Sequence, residues 1–364
     1  MGSIAGTCTV TYVDSSRLLA CGHPITQYGH VDMPMTKAAV VATLPSPLNA
    51  FKIVNTTETV GAFTEDRSSA IMGQFGIKAR MIPVTVEMVS AGDSAKSKTF
   101  HFEVLDNRDL TPSAMLVSIY QSLQGTNQAA VRMSYQLSGE IVIAAQNPVR
   151  LEGIMAQNDL NPASINAALY VTERFSRIYG NPMQQPVVKS LTLKAKQIPE
   201  RRTAIIESAR LTRTEVRAGE TVDLEVTIHP FQAPPQLVRI PVKLPVDLSP
   251  GTIRLVVSDG PAIDRLLQPS TGTPQHSIDL TDAVALLNRI HSNDRVYVTL
   301  LDRTAQALLE SHTLPDVPLS MANVLSPLKD AQKMQLNGES VVDLGSAETP
   351  YAVSGSRVLS IVVR

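Results

Sequence analysis

The sequence predicts a mainly β chain with an α+β region in its middle, and three observations carry that prediction. Val, Leu, Ile and Thr recur in short runs broken by turn residues, among which 24 Pro outnumber 19 Gly. Helix-start residues joined to helical apolar spacing occur in few places, chiefly between residues 111 and 182. Strict apolar–polar alternation, the pattern of a half-buried strand, returns beyond residue 186. The 364 residues suit two or three domains, and 43% hydrophobic against 18% charged residues is enough to bury real cores and too apolar for a disordered chain.

The first unit is expected over residues 1–92. Residues 6–13 read as one strand and residues 17–22 as a second, with Asp14, Ser15 and Ser16 as the turn between them. If Asp14 and Ser15 close a two-residue loop, Cys8 lies directly opposite Cys21. Opposed positions bring Cβ atoms to about 4.5–5.5 Å, so the two thiols either pack as small hydrophobes or form a cross-strand disulfide. The second choice implies an oxidising compartment. An apolar run at 38–44, segments at 51–54 and 58–63, and alternation over 77–89 continue the β pattern, and the small, polar residues 90–98 read as a long hairpin turn or a linker.

A mixed α/β unit is expected over 93–200. A strand at 99–105 precedes a helix opened by Thr111 as cap and Pro112 as first residue, with Met115, Ile119 and Leu123 at helical spacing and Gly125 as its stop. After a strand at 135–144, Asn161 and Pro162 open a second helix carrying Ile165, Leu169, Phe175 and Ile178, which stops at Gly180, Asn181 and Pro182. Alternation over 187–195, 205–212, 222–228, 238–244 and 252–258, with turns at 217–220 and 249–251, has sandwich spacing. Residues 201–262 therefore read as an immunoglobulin-like β-sandwich, and 263–364 as a C-terminal α/β extension packing on it. That extension holds a helix at 280–290 capped by Asp279 or Thr281, a strand at 295–301, and a closing hairpin or long strand at 351–363.

Several function classes are excluded. Formal net charge is −1, so no global basic field exists to hold nucleic acid, and 4% aromatic residues with no Trp leave few rings for stacking on bases or sugars. No apolar run is long enough for a transmembrane helix, and the first seven residues lack the basic and apolar regions of a signal peptide. A cytoplasmic protein, a mature exported protein and a piece of a longer chain all fit this, and a strand-like run beginning at Thr7 points to the third. No phosphate loop, dinucleotide fingerprint, nucleophile elbow or zinc-spaced pair is present. His23, His30 and Asp32 are too few and too oddly spaced for a metal site, so no metal and no cofactor are expected. His23 stands out by its place between Gly22 and Pro24, just beyond a strand end, where catalytic residues gather. A general base needs a nucleophile in reach. No glycine-flanked serine has a distinctive context; the nearest, Ser354 and Ser356 around Gly355, read as a bulge or turn in the closing strand.

The first unit resembles the SpoIVB-type serine peptidases. The resemblance rests on Gly6-Thr7-Cys8-Thr9-Val10-Thr11-Tyr12-Val13-Asp14 followed by Leu18-Leu19-Ala20-Cys21-Gly22-His23-Pro24-Ile25. Residues 53–56, Val60-Gly61 and 66–73 continue it in order, so it covers about residues 6–90. It implies that His23 is the catalytic base. The family's nucleophilic serine lies in a G-M-S-G-S-P-like segment, which this sequence does not contain, and in long, secreted bacterial relatives that segment can precede the histidine hairpin. The resemblance also implies export to a secreted or periplasmic location, consistent with a Cys8–Cys21 disulfide. The resulting expectation is an extracytoplasmic protein of peptidase ancestry acting in assembly, with protein partners or self-association. The alternative is part of an active endopeptidase whose serine lies in an upstream segment.

Overall fold

The computed structural model describes residues 5–48, 50–90, 97–124, 133–181, 184–267, 279–302, 305–309, 312–317, 321, 324, 334–337 and 340–364. The chain is mainly β, with several sheets and, among the described residues, four α-helices. No described helix is long and apolar enough to cross a membrane.

The first sheet holds β1 (Val10–Val13), β2 (Arg17–Ala20), β3 (Gly29–Leu44), β4 (Phe51–Arg67) and β5 (Ala70–Phe75) in the order β1-β2-β5-β4-β3, antiparallel throughout. The segments at 51–54 and 58–63 are thus parts of one long strand. The core here is small, with Leu18, Ala20, Met35 and Ile71 buried. Met35 sits over two glycines: a Cβ on Gly73 would collide with its sulfur, and one on Gly61 with the Gln74 carbonyl oxygen.

The second sheet holds β6 (Met81–Val89), β7 (Ser97–Leu105), β8 (Ser134–Ile143), β9 (Val149–Ala156) and β10 (Val188–Ile198) in the order β7-β6-β10-β8-β9. The change of sheet therefore falls between β5 and β6. Val89 pairs with Ser97, so β6 and β7 form a hairpin whose tip, at 91–96, lies outside the described residues. β10 inserts parallel to β6 and antiparallel to β8. α1 (Thr111–Gln124) and α2 (Ala163–Tyr179) supply fully buried Met115, Ile119, Leu123, Val171, Phe175 and Ile178 to the cluster that includes Val84, Val86 and Ile141 of this sheet. Thr111 is not the cap its sequence position predicts. Its buried hydroxyl donates to the Leu105 carbonyl (2.7 Å), and Asn107 caps instead, accepting from the Asp109 and Leu110 amides (3.0 Å each). The Gly125 stop lies outside the described residues.

The remaining strands are β11 (Thr203–Leu211), β12 (Glu215–Val216), β13 (Thr221–Pro230), β14 (Gln236–Lys243), β15 (Gly251–Ser258), β16 (Arg295–Asp302), β17 (Ala305–Leu309), β18 (His312–Val317), β19 (Met334–Asn337), β20 (Ser340–Glu348), β21 (Ala352–Ser354) and β22 (Ser356–Val363). They form sheets ordered β14-β13-β11-β21, β12-β22-β15-β16-β20 and β18-β17-β19. The first two share one apolar core, with Ile206, Leu224 and Val226 from one sheet and Leu255, Val257, Val298 and Ile361 from the other. The tail is neither a hairpin nor one strand. Gly355 (φ 106°) breaks it, sending β21 to one sheet and β22 to the other. Buried Asp259 fixes that break by accepting from the Gly355 amide (2.6 Å). The same carboxylate accepts from Ala262 N (2.7 Å) and starts α3 (Gly260–Leu267), which the sequence reading does not anticipate. Asp279 caps α4 (Leu280–Arg289) by accepting from Asp282 N (2.8 Å), which decides between Asp279 and Thr281.

Candidate functional site

The first hairpin turns on Asp14. Its carboxylate accepts from the Ser16 and Arg17 amides (2.8 and 2.9 Å), and these bonds hold it well below the usual carboxylate range. Val13 pairs with Leu18 and the Asp14 amide donates to the Arg17 carbonyl (2.9 Å), so the turn centres on Ser15 and Ser16 and not on the Asp14 and Ser15 considered above. That register alone would misalign the cysteines. An extra residue in β1, Thr11, halves that offset: the pairing shifts by one between Tyr12↔Leu19 and Val10↔Ala20, which sets Cys21 opposite Thr9, next to Cys8. The Cys21 amide then donates to the Thr9 carbonyl (3.0 Å), and Cys8 and Cys21 join as a disulfide with Cα atoms 4.8 Å apart.

The loop that follows the disulfide carries His23. Cys21 (φ 77°), Gly22 (φ 73°), Gln27 (φ 62°) and Gly29 (φ 74°) all adopt left-handed backbone, which costs about 1–2 kcal/mol for each non-glycine and persists only where neighbours enforce it. The enforcing group is Asp66. This carboxylate, 2% exposed, accepts from the amides of Ile25 (3.0 Å), Thr26 (2.6 Å) and Gln27 (3.1 Å) and from the Thr26 hydroxyl (2.6 Å). Burial raises its pKa, but the hydrogen bonds, that of the Thr26 side chain foremost, outweigh this and hold it below its ordinary value.

His23 itself is exposed, and its Nδ1 lies 2.8 Å from the Pro24 carbonyl. A carbonyl only accepts, so Nδ1 carries the hydrogen and Nε2 is left as the basic nitrogen. The orienting group is thus a backbone carbonyl in place of a carboxylate, and among the described residues no hydroxyl is bonded to His23. His30 and Asp32 take other partners: His30 Nδ1 faces Glu65 (3.5 Å), and Asp32 accepts from the Arg80 amide (3.0 Å). No group of three or more metal-ligating side chains forms among the described residues. Ser354 and Ser356 flank the strand break at Gly355, where the Ser354 hydroxyl faces the Ala204 carbonyl (3.4 Å).

Two features escape the sequence reading. First, the outer halves of β3 and β4 form a two-stranded ribbon standing clear of any core. Every described residue from 37 to 59 is exposed except half-buried Val54, and Val40, Val41, Leu44, Leu48, Phe51 and Ile53 are exposed apolar side chains. Lys52 is the one charged residue between 38 and 57, beyond the Lys37–Glu58 ion pair at the ribbon's base. The apolar run at 38–44 was the available signal, but its exposure was not. Second, Asp264 of α3 accepts from His291 Nδ1 (2.7 Å), and the Tyr297 ring meets the imidazole edge-on at 4.7 Å between centroids. His291 lines an open, polar cleft of about 360 Å³ with Glu152, Arg295 and Glu348. The adjacent Ser292 hydroxyl donates to Asp294 (2.6 Å), and among the described residues no hydroxyl is bonded to this oriented imidazole.

Searches of family models, of curated proteins and of solved structures returned no match to the chain. Fold and site together define a mainly β, disulfide-bonded chain with a rigid histidine loop and a projecting apolar ribbon. The disulfide is compatible with an extracellular protein.

Proposed function

We propose that this is an extracytoplasmic, secreted or periplasmic multidomain protein, related to SpoIVB-type serine peptidases through its first unit, that acts in assembly through protein–protein contact. The carrying observation is the β3–β4 ribbon, apolar, nearly uncharged and exposed on both faces. A soluble surface rarely leaves such a contiguous patch uncovered without an interaction to cover it. Residues 201–262 read as an immunoglobulin-like sandwich with 263–364 packing on it; the apolar core that β11, β13 and β15 share with β16 and β22 supports that packing. Mass photometry of the purified full chain tests the role. Particles heavier than one chain are expected, and single-chain particles at every concentration would remove its basis.

A second reading is favoured by the loop geometry. In it, His23 is the general base of an endopeptidase whose serine lies in a segment outside this sequence. The basic Nε2 on a loop fixed by a disulfide and Asp66 suits that role. A fluorophosphonate probe separates the two. The chain described here is expected to stay unlabelled. A chain extended upstream would be labelled on serine, and lose labelling with His23→Ala, only if the second reading holds.

A further inference from the structure

We propose that the occupant of the ribbon is a second copy of this chain, added edge to edge along β3 about a two-fold axis. This rests on the assembly reading above and names its partner.

β3 is the outermost strand of its sheet, so one row of its backbone N–H and C=O groups faces outward with no strand beside it. Antiparallel pairing with an identical strand satisfies both rows at once and makes the same patch face itself, the closed arrangement of most homodimers. Charge selects the partner. Across a two-fold axis residue i meets residue j and j meets i, so an edge carrying charge of one sign would repel its copy. Residues 38–44 of β3 carry no charge, and Lys52 lies on β4, one strand removed from the joint. A charged partner would find nothing on this edge to pair with, whereas a second copy finds the same apolar, uncharged surface.

The joint is small. Of the ribbon's exposed apolar side chains, Val40, Val41 and Leu44 lie on β3 itself, and with the added backbone edge they make an interface below the roughly 800 Å² per partner of a standard stable complex, so the dimer is weak and concentration-dependent. Lipid suits the side chains but not the backbone. Over this stretch β3 has no outer neighbour and β4 pairs β5 only from Gly61 onward, so insertion into a bilayer would strand two open edges without hydrogen bonds.

Sedimentation velocity of the full chain at rising micromolar concentration, beside Val40→Lys/Val41→Lys, tests this. Both positions are exposed, so the variant is expected to keep the wild-type circular dichroism, melting curve and Cys8–Cys21 bond. Expected are a wild-type dimer and a variant of half that mass. An oligomer that persists in a folded double variant overturns the β3 joint while leaving the assembly reading standing. A wild-type chain that is monomeric throughout overturns both. A monomer that instead floats with phosphatidylcholine vesicles also overturns the proposal and puts lipid in the place of the second copy.

Discussion

Two edge strands of this molecule are treated in opposite ways. β9 ends the second sheet as β3 ends the first. Along β9, Asn293 accepts from Ile154 N (2.9 Å) through Oδ1 and donates to Ile154 O (2.8 Å) through Nδ2, replacing the missing strand with one side chain. Asn288 repeats the device, accepting from Arg150 N (2.9 Å) and donating to Pro148 O (3.0 Å). Along the outer half of β3 no side chain among the described residues plays that part, and the exposed residues carry no charge from Ala38 to Leu44. A fold that closes one edge with two asparagines and leaves another open assigns different work to the two: β9 is internal architecture, β3 is a surface kept for contact.

The comparison can be broken at four points. Asn293→Ala should have the largest effect. It orphans the amide and carbonyl of buried Ile154, and with about 1–3 kcal/mol for each unsatisfied group the loss is about 4 kcal/mol, read from urea denaturation. An unchanged midpoint would mean that β9 does not depend on its clamp. Opening the disulfide by Cys8→Ser/Cys21→Ser should cost about 3 kcal/mol, since a loop of about 15 residues regains that much freedom when unfolded. Faster amide exchange confined to β1 and β2 would report it.

Asp66→Asn should cost about 2 kcal/mol, because the amide nitrogen it introduces is a donor facing donors. The pH dependence has a fixed sign. The Asp66 pKa is lowered by folding, so its stabilisation is complete above the ordinary carboxylate pKa and is lost as pH falls through the lower, folded value. Acid titration of stability should be shallower in Asp66→Asn than in the wild type. Smallest is the open edge: Val41→Lys should change monomer stability by less than about 0.5 kcal/mol, because nothing packs on this side chain. A larger loss in the melting curve of a monomeric sample would show that β3 is not free.

Local signals were legible and distant ones were not. α1, α2 and α4 follow from spacing and start residues, although Asn107 took the cap assigned to Thr111. α3 was missed even though Asp259 and Pro261 stand at its start, because its eight residues are too few for periodicity to speak. β9 was missed because Gly153 interrupts its alternation, and the insertion of β10 between β6 and β8 joins segments some 50 to 100 residues apart. In the site, His23 and the cysteine pair were visible in the sequence. The group that fixes the histidine loop, Asp66, comes from 40 residues away through its side chain alone, and only the strand-end position of both segments brings it there.

The placement of β22 has a consequence for how the chain matures. Residues 356–363 lie inside their sheet, between β12 and β15, and Val363 pairs with Gly251. The first sheet can order as soon as residue 75 has left the ribosome, whereas β15 waits for β22, the second of its two partners, until residues 356–363 have emerged. During that interval the edge of β15 that β22 will pair stands open. Synthesis is therefore asymmetric: the unit that carries His23 matures early, and the sheet that holds β15 depends on chaperoning or speed until β22 slots in.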